Sequence, residues 1–462
     1  MENKQPQTAP ADVRENIMGT MDINPLLIKL SVPMMVSMLV QALYNVVDSI
    51  FVSHVSENAL TAVSLAFSLQ NVMIAVGVGT GVGVNALLSK SLGEKDQARA
   101  NQTAENGIFL SLCSYAVFLL IGLTCMKPYF YAQTSDMDIA RQGILYLSIC
   151  CVLSLGLFTQ TMGEKLLAAT GRTHLSMISQ LVGAVVNIVL DPIFIFWLDL
   201  GVQGAAWATV IAQGCSAVWV LVFLTGRRAA LRLRPQCMAL KAARVRRIVS
   251  LGLSGFFMNL TNSLVQVVCN ATLQVYGGDL YVGVMTIINS LREVFMMPVH
   301  GLSNGAQPVT GYNYGAGLYS RVRQSIRFSV AGTVGCAALF WAAAMVFPGA
   351  LIRIFNGDAE VLAAGVPALR IYFCLFIPMS LQMAGQGVFV SLGRSRQAIF
   401  FSLLRKAVIN APLTVLLPVW LGTDGVFVAE AVSQLVGGLA CIITMYWTVY
   451  RPFGRLPDRA EG

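Results

Sequence analysis

The sequence predicts an all-α polytopic membrane protein of twelve transmembrane helices, arranged as two parallel-repeat six-helix lobes. Three observations carry that prediction. Of the 462 residues, 56% are hydrophobic and only 11% charged, and the mean hydropathy is +0.68. Soluble domains average about 25% charged residues, and so little polar surface could not cover a soluble particle. The same composition excludes disordered, collagen-like and disulfide-scaffold chains. Charge-free stretches of membrane-crossing length recur along the chain, and its two halves match at a shift of 222 residues.

Nine uncharged stretches, at 58–89, 106–126, 142–163, 201–226, 248–278, 294–320, 328–352, 371–393 and 431–450, each run for at least 20 residues. A helix needs about 20 apolar residues to cross the hydrocarbon core. Three more stretches, 30–47, 173–190 and 407–423, run 17 or 18 residues before an acid interrupts or ends them. In chain order the spans fall near 24–52, 58–84, 104–126, 137–168, 174–198, 203–225, 248–275, 281–306, 325–347, 364–390, 396–420 and 425–449. Unpaired backbone groups are not tolerated in lipid, so the spans are helices. The alternating segments of about ten residues that a membrane β-barrel requires are absent.

Basic residues set the orientation. Connections after even-numbered spans carry Lys90, Lys95, Arg99, Arg172, Arg321, Arg323, Arg394 and Arg396, and the one after span six adds Arg227, Arg228, Arg232, Arg234, Lys241, Arg244, Arg246 and Arg247. Connections after odd-numbered spans carry only Lys127, Arg141 and Arg353. Basic loops stay in the cytoplasm, which places both termini there in a multi-pass cell-membrane protein. The chain divides into a cytoplasmic segment 1–23, a first lobe 24–225, a basic cytoplasmic loop 226–247, a second lobe 248–449 and a cytoplasmic tail 450–462. The segment 1–23 has no apolar stretch and does not read as a signal peptide. The net charge of +9 belongs to loops facing lipid headgroups, not to a nucleic-acid surface. Most of the ten cysteines fall inside spans and read as small buried apolar residues.

At the 222-residue shift, Ser68 and Leu69 fall on Ser290 and Leu291, Gly79, Gly83 and Gly93 on Gly301, Gly305 and Gly315, Arg99 on Arg321, and Gln160 and Gly163 on Gln382 and Gly385. Six crossings separate equivalent positions, so the repeats are parallel, a transporter arrangement with a site between repeats. The glycines at 77, 79, 81, 83, 301 and 305 form small-residue faces for close helix packing.

Ionisable residues inside spans are functional candidates by default: Asp48, Glu164, Asp191, Glu293 and Glu430. Asn187 and Asp191 are four apart and share one helix face, and Pro192 frees the carbonyl of Ile188 beside them. Such oxygen donors suit a proton or a hard cation such as Na⁺. Gln41, Tyr44, Asn45 and Asp48 form a polar stripe on span one, which Pro33 should bend. Glu164 is expected near the cytoplasmic mouth, against a basic neighbour or a cationic substrate. Arg292 and Glu293 are adjacent, point different ways and are not expected to pair. Glu430 reads as a snorkelling acid near a span end. Asp48, Asp191 and Glu164 face neutral Asn270, Ala411 and Gln386 in the repeat, and Asn187 faces Ala407, so ion coupling is assigned to the first lobe.

The stretches Asn187-Ile-Val-Leu-Asp-Pro-Ile-Phe-Ile-Phe, Gly201-Val-Gln-Gly-Ala-Ala-Trp-Ala-Thr209, Gly301-Leu-Ser-Asn-Gly-Ala-Gln-Pro, Gly311-Tyr-Asn-Tyr-Gly-Ala316 and Leu-Tyr-Asn-Val-Val-Asp48 resemble those of the multidrug and toxic compound extrusion (MATE) transporters over about residues 20–450. The resemblance implies two six-helix lobes in a V. It also implies export of amphipathic, often cationic compounds in exchange for H⁺ or Na⁺ by alternating access. It places a cation site at Asp48, Asn187, Asp191 and Thr209, with Pro33 at the bend. Gln41, Tyr44, Asn45, Gln160 and Glu164 then line the substrate cavity. A second-lobe site used by another branch needs acids in spans seven and ten, which lack them here. The expected partners are small amphipathic cations and membrane lipids, with no cofactor and no nucleic acid, and the chain is expected to act as a monomer without enzymatic activity. A related flippase of lipid-linked saccharide precursors and a passive channel are the alternatives.

Overall fold

The computed structural model describes residues 16–226, 231 and 242–459. These residues form helices and short connections, with no strand among them. Nine helices are long and apolar enough to cross a membrane, and two further pairs each form one bent span, Met137–Val152 with Leu155–Ala169 at 49° and Ala359–Phe373 with Phe376–Ser391 at 45°. The stretch Ala242–Ala316 is two helices joined at Gly278, where φ is 64°, a left-handed backbone that glycine adopts without strain. Splitting it there makes twelve spans.

We number them α1 (Ile23–Ser53), α2 (Glu57–Gly93), α3 (Gln97–Thr124), α4 (the pair Met137–Val152 and Leu155–Ala169), α5 (Thr173–Pro192, continued by a wide turn Ile193–Trp197) and α6 (Gly201–Thr225) in the first lobe. The second lobe has α7 (242–277), α8 (279–316), α9 (Tyr319–Val346), α10 (the pair Ala359–Phe373 and Phe376–Ser391), α11 (Ser395–Leu421) and α12 (Asp424–Phe453). Arg227, Arg228, Arg232, Arg234 and Lys241 of the central basic loop, and Cys237, lie outside the described residues. Arg244, Arg246 and Arg247 already belong to the first turns of α7.

The helix outer faces carry exposed Leu, Val, Ile and Trp, including Leu43, Leu123, Val267 and Trp420, as lipid contact requires. Among the cysteines, Cys150, Cys151, Cys269 and Cys441 are buried, whereas Cys113 and Cys215 are exposed on helix surfaces and Cys125 and Cys374 at turns. The expectation of buried cysteines therefore holds for only part of the set.

Small residues bring the lobes together at their basic ends. A Cβ on Gly83 would lie 2.2 Å from the carbonyl oxygen of Ile248, one on Gly93 1.9 Å from that of Tyr312, and one on Gly315 2.1 Å from that of Lys90. A Cβ on Gly301 or Gly305 of α8 would lie 2.5 Å from the Cα of Met35 or Ser31 of α1. A short helix, Ile17–Thr20, straps this end: Asn313 Nδ2 donates to Met18 O at 3.0 Å, and Arg321 donates to Met18 O and Met21 O.

A candidate cation site and a second charged chamber

In the first lobe α1 packs along α5 and α5 along α6. Serines hold the second pair: Ser216 Oγ donates to Ser179 O at 2.8 Å and Ser179 Oγ to Ser216 O at 3.3 Å. Asn187 and Asp191 project from α5 on one face, as their spacing requires, and Asn187 Nδ2 donates to Asp191 Oδ1 at 3.3 Å. Both are buried. Asp191 Oδ2, Asn187 Oδ1 and Asp48 Oδ1 are buried without a hydrogen-bond partner among the described residues. Asp48, on α1, lies within electrostatic reach of Asp191. Burying a lone carboxylate oxygen is costly unless a donor or cation meets it.

Tyr44 lies within electrostatic reach of Asp48, Asp191 and Glu164, so the three acids face one region of the lobe. Gln41 is half-buried and Asn45 exposed along the same stripe, and Thr209 is half-buried on α6. The helix runs unbroken through Pro33.

Glu164 is held by amides rather than by a basic neighbour. Gln160 Nε2 donates to Oε1 and Gln180 Nε2 to Oε2, each at 3.0 Å. The adjacent Lys165 instead lays its stem against Gly81, whose added Cβ would meet Lys165 Cγ at 2.7 Å. Gln180 went unrecognised in the sequence, although it lies seven residues before Asn187 and so shares its helix face. Gln70 and Tyr146, which join through Gln70 Nε2 to Tyr146 Oη at 3.3 Å, were also missed.

The second lobe overturns two expectations. Glu430 is not a snorkelling acid near a span end. It is 2% exposed and accepts from Lys406 Nζ at 2.9 and 3.1 Å, with Asn410 Nδ2 donating to it as well. Arg292 and Glu293 do pair, at 2.5 Å. Adjacent residues point apart at Cβ, but the long arginine side chain curls back to its neighbour. Arg405 and Lys406 are buried mid-span, and the charge pattern that marks them, two basic residues between apolar runs, was passed over.

Residues 33–193 and 255–416 each match the MatE family model. The chain belongs to the MATE transporter family. The two matches begin 222 residues apart, as the internal repeat does. MATE proteins are membrane transporters, not enzymes, which places this chain in a membrane as a multi-pass protein. It is 23% identical over 437 residues to Multidrug export protein MepA of Staphylococcus haemolyticus, covering 93% of this chain and 94% of that one. It is also 23% identical over 432 residues to an FAD transporter of Shewanella oneidensis, with 91% and 93% covered. A solved MOP superfamily transporter of Pyrococcus furiosus shares the fold, with a TM-score of 0.90 at 22% identity over 96% of this chain and 99% of that one.

Proposed function

We propose that this MATE transporter is a secondary active multidrug exporter, driving amphipathic, cationic compounds out of the cell in exchange for H⁺ or Na⁺. The observation that carries the reading is the set of unpartnered buried oxygens on Asp48, Asn187 and Asp191. Two acids within electrostatic reach in a low-dielectric setting hold a mobile cation well, and a proton or Na⁺ arriving there competes with a cationic substrate in the same chamber. Thr209 and the Ile188 carbonyl complete the oxygen set, while Gln41, Tyr44, Asn45, Gln160 and Glu164 line the way to it. The relative named as a multidrug export protein supports the substrate class.

The close glycine contacts seal the lobes at their basic ends. With those ends in the cytoplasm, the conformation faces outward, and alternating access proceeds by parting them while α1 rearranges about Pro33. The protein works as a monomer in the plasma membrane with both termini inside, on amphipathic cations and surrounded by lipid, with no cofactor.

Asp48→Asn or Asp191→Asn should abolish ethidium efflux from cells at unchanged membrane expression. Proteoliposomes with imposed pH or sodium gradients then distinguish H⁺ from Na⁺. Efflux at the unmodified rate in both variants would overturn the reading, and flux that continues without any ion gradient would point to a channel.

A further inference from the structure

We infer that the second lobe holds an oxyanion-binding site centred on the Arg405 guanidinium, taking a carboxylate or phosphate group. This rests on the transport reading above and adds a second polarity to it. Arg405 is 4% exposed. Its Nε and Nη1 have no hydrogen-bond partner among the described residues. The nearest carboxylate oxygen, Glu430 Oε1, stands 4.0 Å from Nη1 and is already engaged by Lys406 Nζ at 2.9 Å.

The charge balance calls for an anion. Arg405, Lys406 and Arg292 lie within electrostatic reach of one another, against one buried carboxylate, Glu430. The other acid, Glu293, is 62% exposed at its side chain and pairs with Arg292. One buried positive charge therefore remains without a counter-charge, a costly state unless an anion joins it.

The surroundings are built for polar contact. The Arg405 stem lies across Gly437, whose added Cβ would be 2.8 Å from Arg405 Cβ and Cγ, so the absence of a side chain there makes room for it. Gln434, one turn earlier on α12, is fully buried with both amide atoms unpartnered, and Gln382 of α10 is buried with Oε1 unpartnered. A guanidinium fork with an amide donor beside it matches the planar or tetrahedral array of a carboxylate or phosphate. The wide turn Leu404–Asn410 carries Arg405, and such turns inside α-helices are frequent at functional sites.

The test uses the full-length protein purified in detergent, titrated calorimetrically at constant ionic strength with sodium phosphate and, separately, with fluorescein. Both should bind saturably. Arg405→Gln should weaken both about tenfold or more, as expected for loss of a charge-assisted contact, while ethidium binding stays unchanged. Arg405→Lys keeps the charge and the stem but loses the fork, and should weaken binding by less than the glutamine variant. Fluorescein flux in proteoliposomes that depends on Arg405 assigns the anion to a transported molecule. Phosphate binding without such flux assigns it to a resident ion; either result upholds the site. No binding to the unmodified protein, equal binding by Arg405→Lys and the unmodified protein, or equal loss of ethidium and fluorescein binding in Arg405→Gln would each overturn it. Ethidium efflux in the Asp48 and Asp191 variants tests the transport reading independently.

Discussion

Replacing Lys406 with methionine takes from Glu430 its hydrogen-bonded counter-charge and leaves it only the more distant Arg405. The lysine is 3% exposed and the glutamate 2%, so water cannot replace the lost partner without the helices parting. Lys406 Nζ makes two charge-assisted hydrogen bonds, at 2.9 and 3.1 Å, each worth about 1.5–3 kcal/mol. Removing one member of a buried pair costs about 3–5 kcal/mol. Arg405 at 4.0 Å and the Asn410 amide remain, which places the loss near the lower end, at about 3 kcal/mol. The double variant Lys406→Met with Glu430→Leu removes both charges at similar volume and should recover most of that stability, because desolvating the pair cancels much of its attraction. The assay is reversible unfolding in mixed micelles followed by circular dichroism, arranged as a double-mutant cycle. A single variant as stable as the unmodified protein, or a double variant no more stable than the single, would refute the claim that Glu430 depends on this lysine.

Two further predictions follow from contacts outside the chambers. Gly315→Val should prise α2 from α8, since its first added carbon already falls 2.1 Å from the Lys90 carbonyl oxygen; transport should drop and spin labels at the basic ends of the two lobes should move apart, and an unchanged distance distribution would contradict it. After α12, Asp458 accepts hydrogen bonds from the Ser320 backbone N–H at 2.8 Å and from its hydroxyl. Slight desolvation pushes the Asp458 carboxyl up, but these bonds outweigh it and hold the group below the usual carboxylate range. A group depressed on folding stabilises above its unfolded pKa and loses that contribution as pH falls through the folded value. Limited proteolysis should therefore find the C-terminal segment protected at neutral pH and released on acidification, and Asp458→Asn should be cleaved readily at both.

The fold was legible because its cause is coarse. A bilayer demands about 20 apolar residues per crossing, and charge-free stretches show that directly. The pairing of Asn187 with Asp191 was legible for a related reason: an acid in oil is rare enough that Asp48 and Asp191 stand out singly, and Asn187 is found from Asp191 by helical spacing. Gln180 and Gln70 were not found because an uncharged amide carries no comparable penalty and blends into a polar helix face. Lys406 was missed for a different reason. A buried lysine declares itself only through the partner that neutralises it, which lies 24 residues away on the next helix. Pairing between Arg292 and Glu293 depends on rotamers, which backbone spacing does not determine.

The repeat alignment carries a further lesson about the second lobe. Matching Pro192 to Pro412 sets Ala407 and Ala411 opposite Asn187 and Asp191, which reads as the loss of a site. In the structure Ala407 is exposed, whereas Lys406 and Asn410 are buried and face α12. The cause is the wide turn Leu404–Asn410: such a turn holds more residues per revolution than an α-helix, so it displaces the register just before the proline. In the first lobe the corresponding wide turn, Ile193–Trp197, comes after the site and leaves Asn187 and Asp191 in α-helical register. One duplicated scaffold thus presents unpartnered oxygens on α5 and an ammonium on α11. An acid on α12, Glu430, stands opposite Thr209 on α6, and the ammonium fills in the second lobe the role left open in the first. On the proposed exchange, a coupling cation would meet the unpartnered carboxylate oxygens of Asp48 and Asp191, whereas Lys406 already neutralises Glu430.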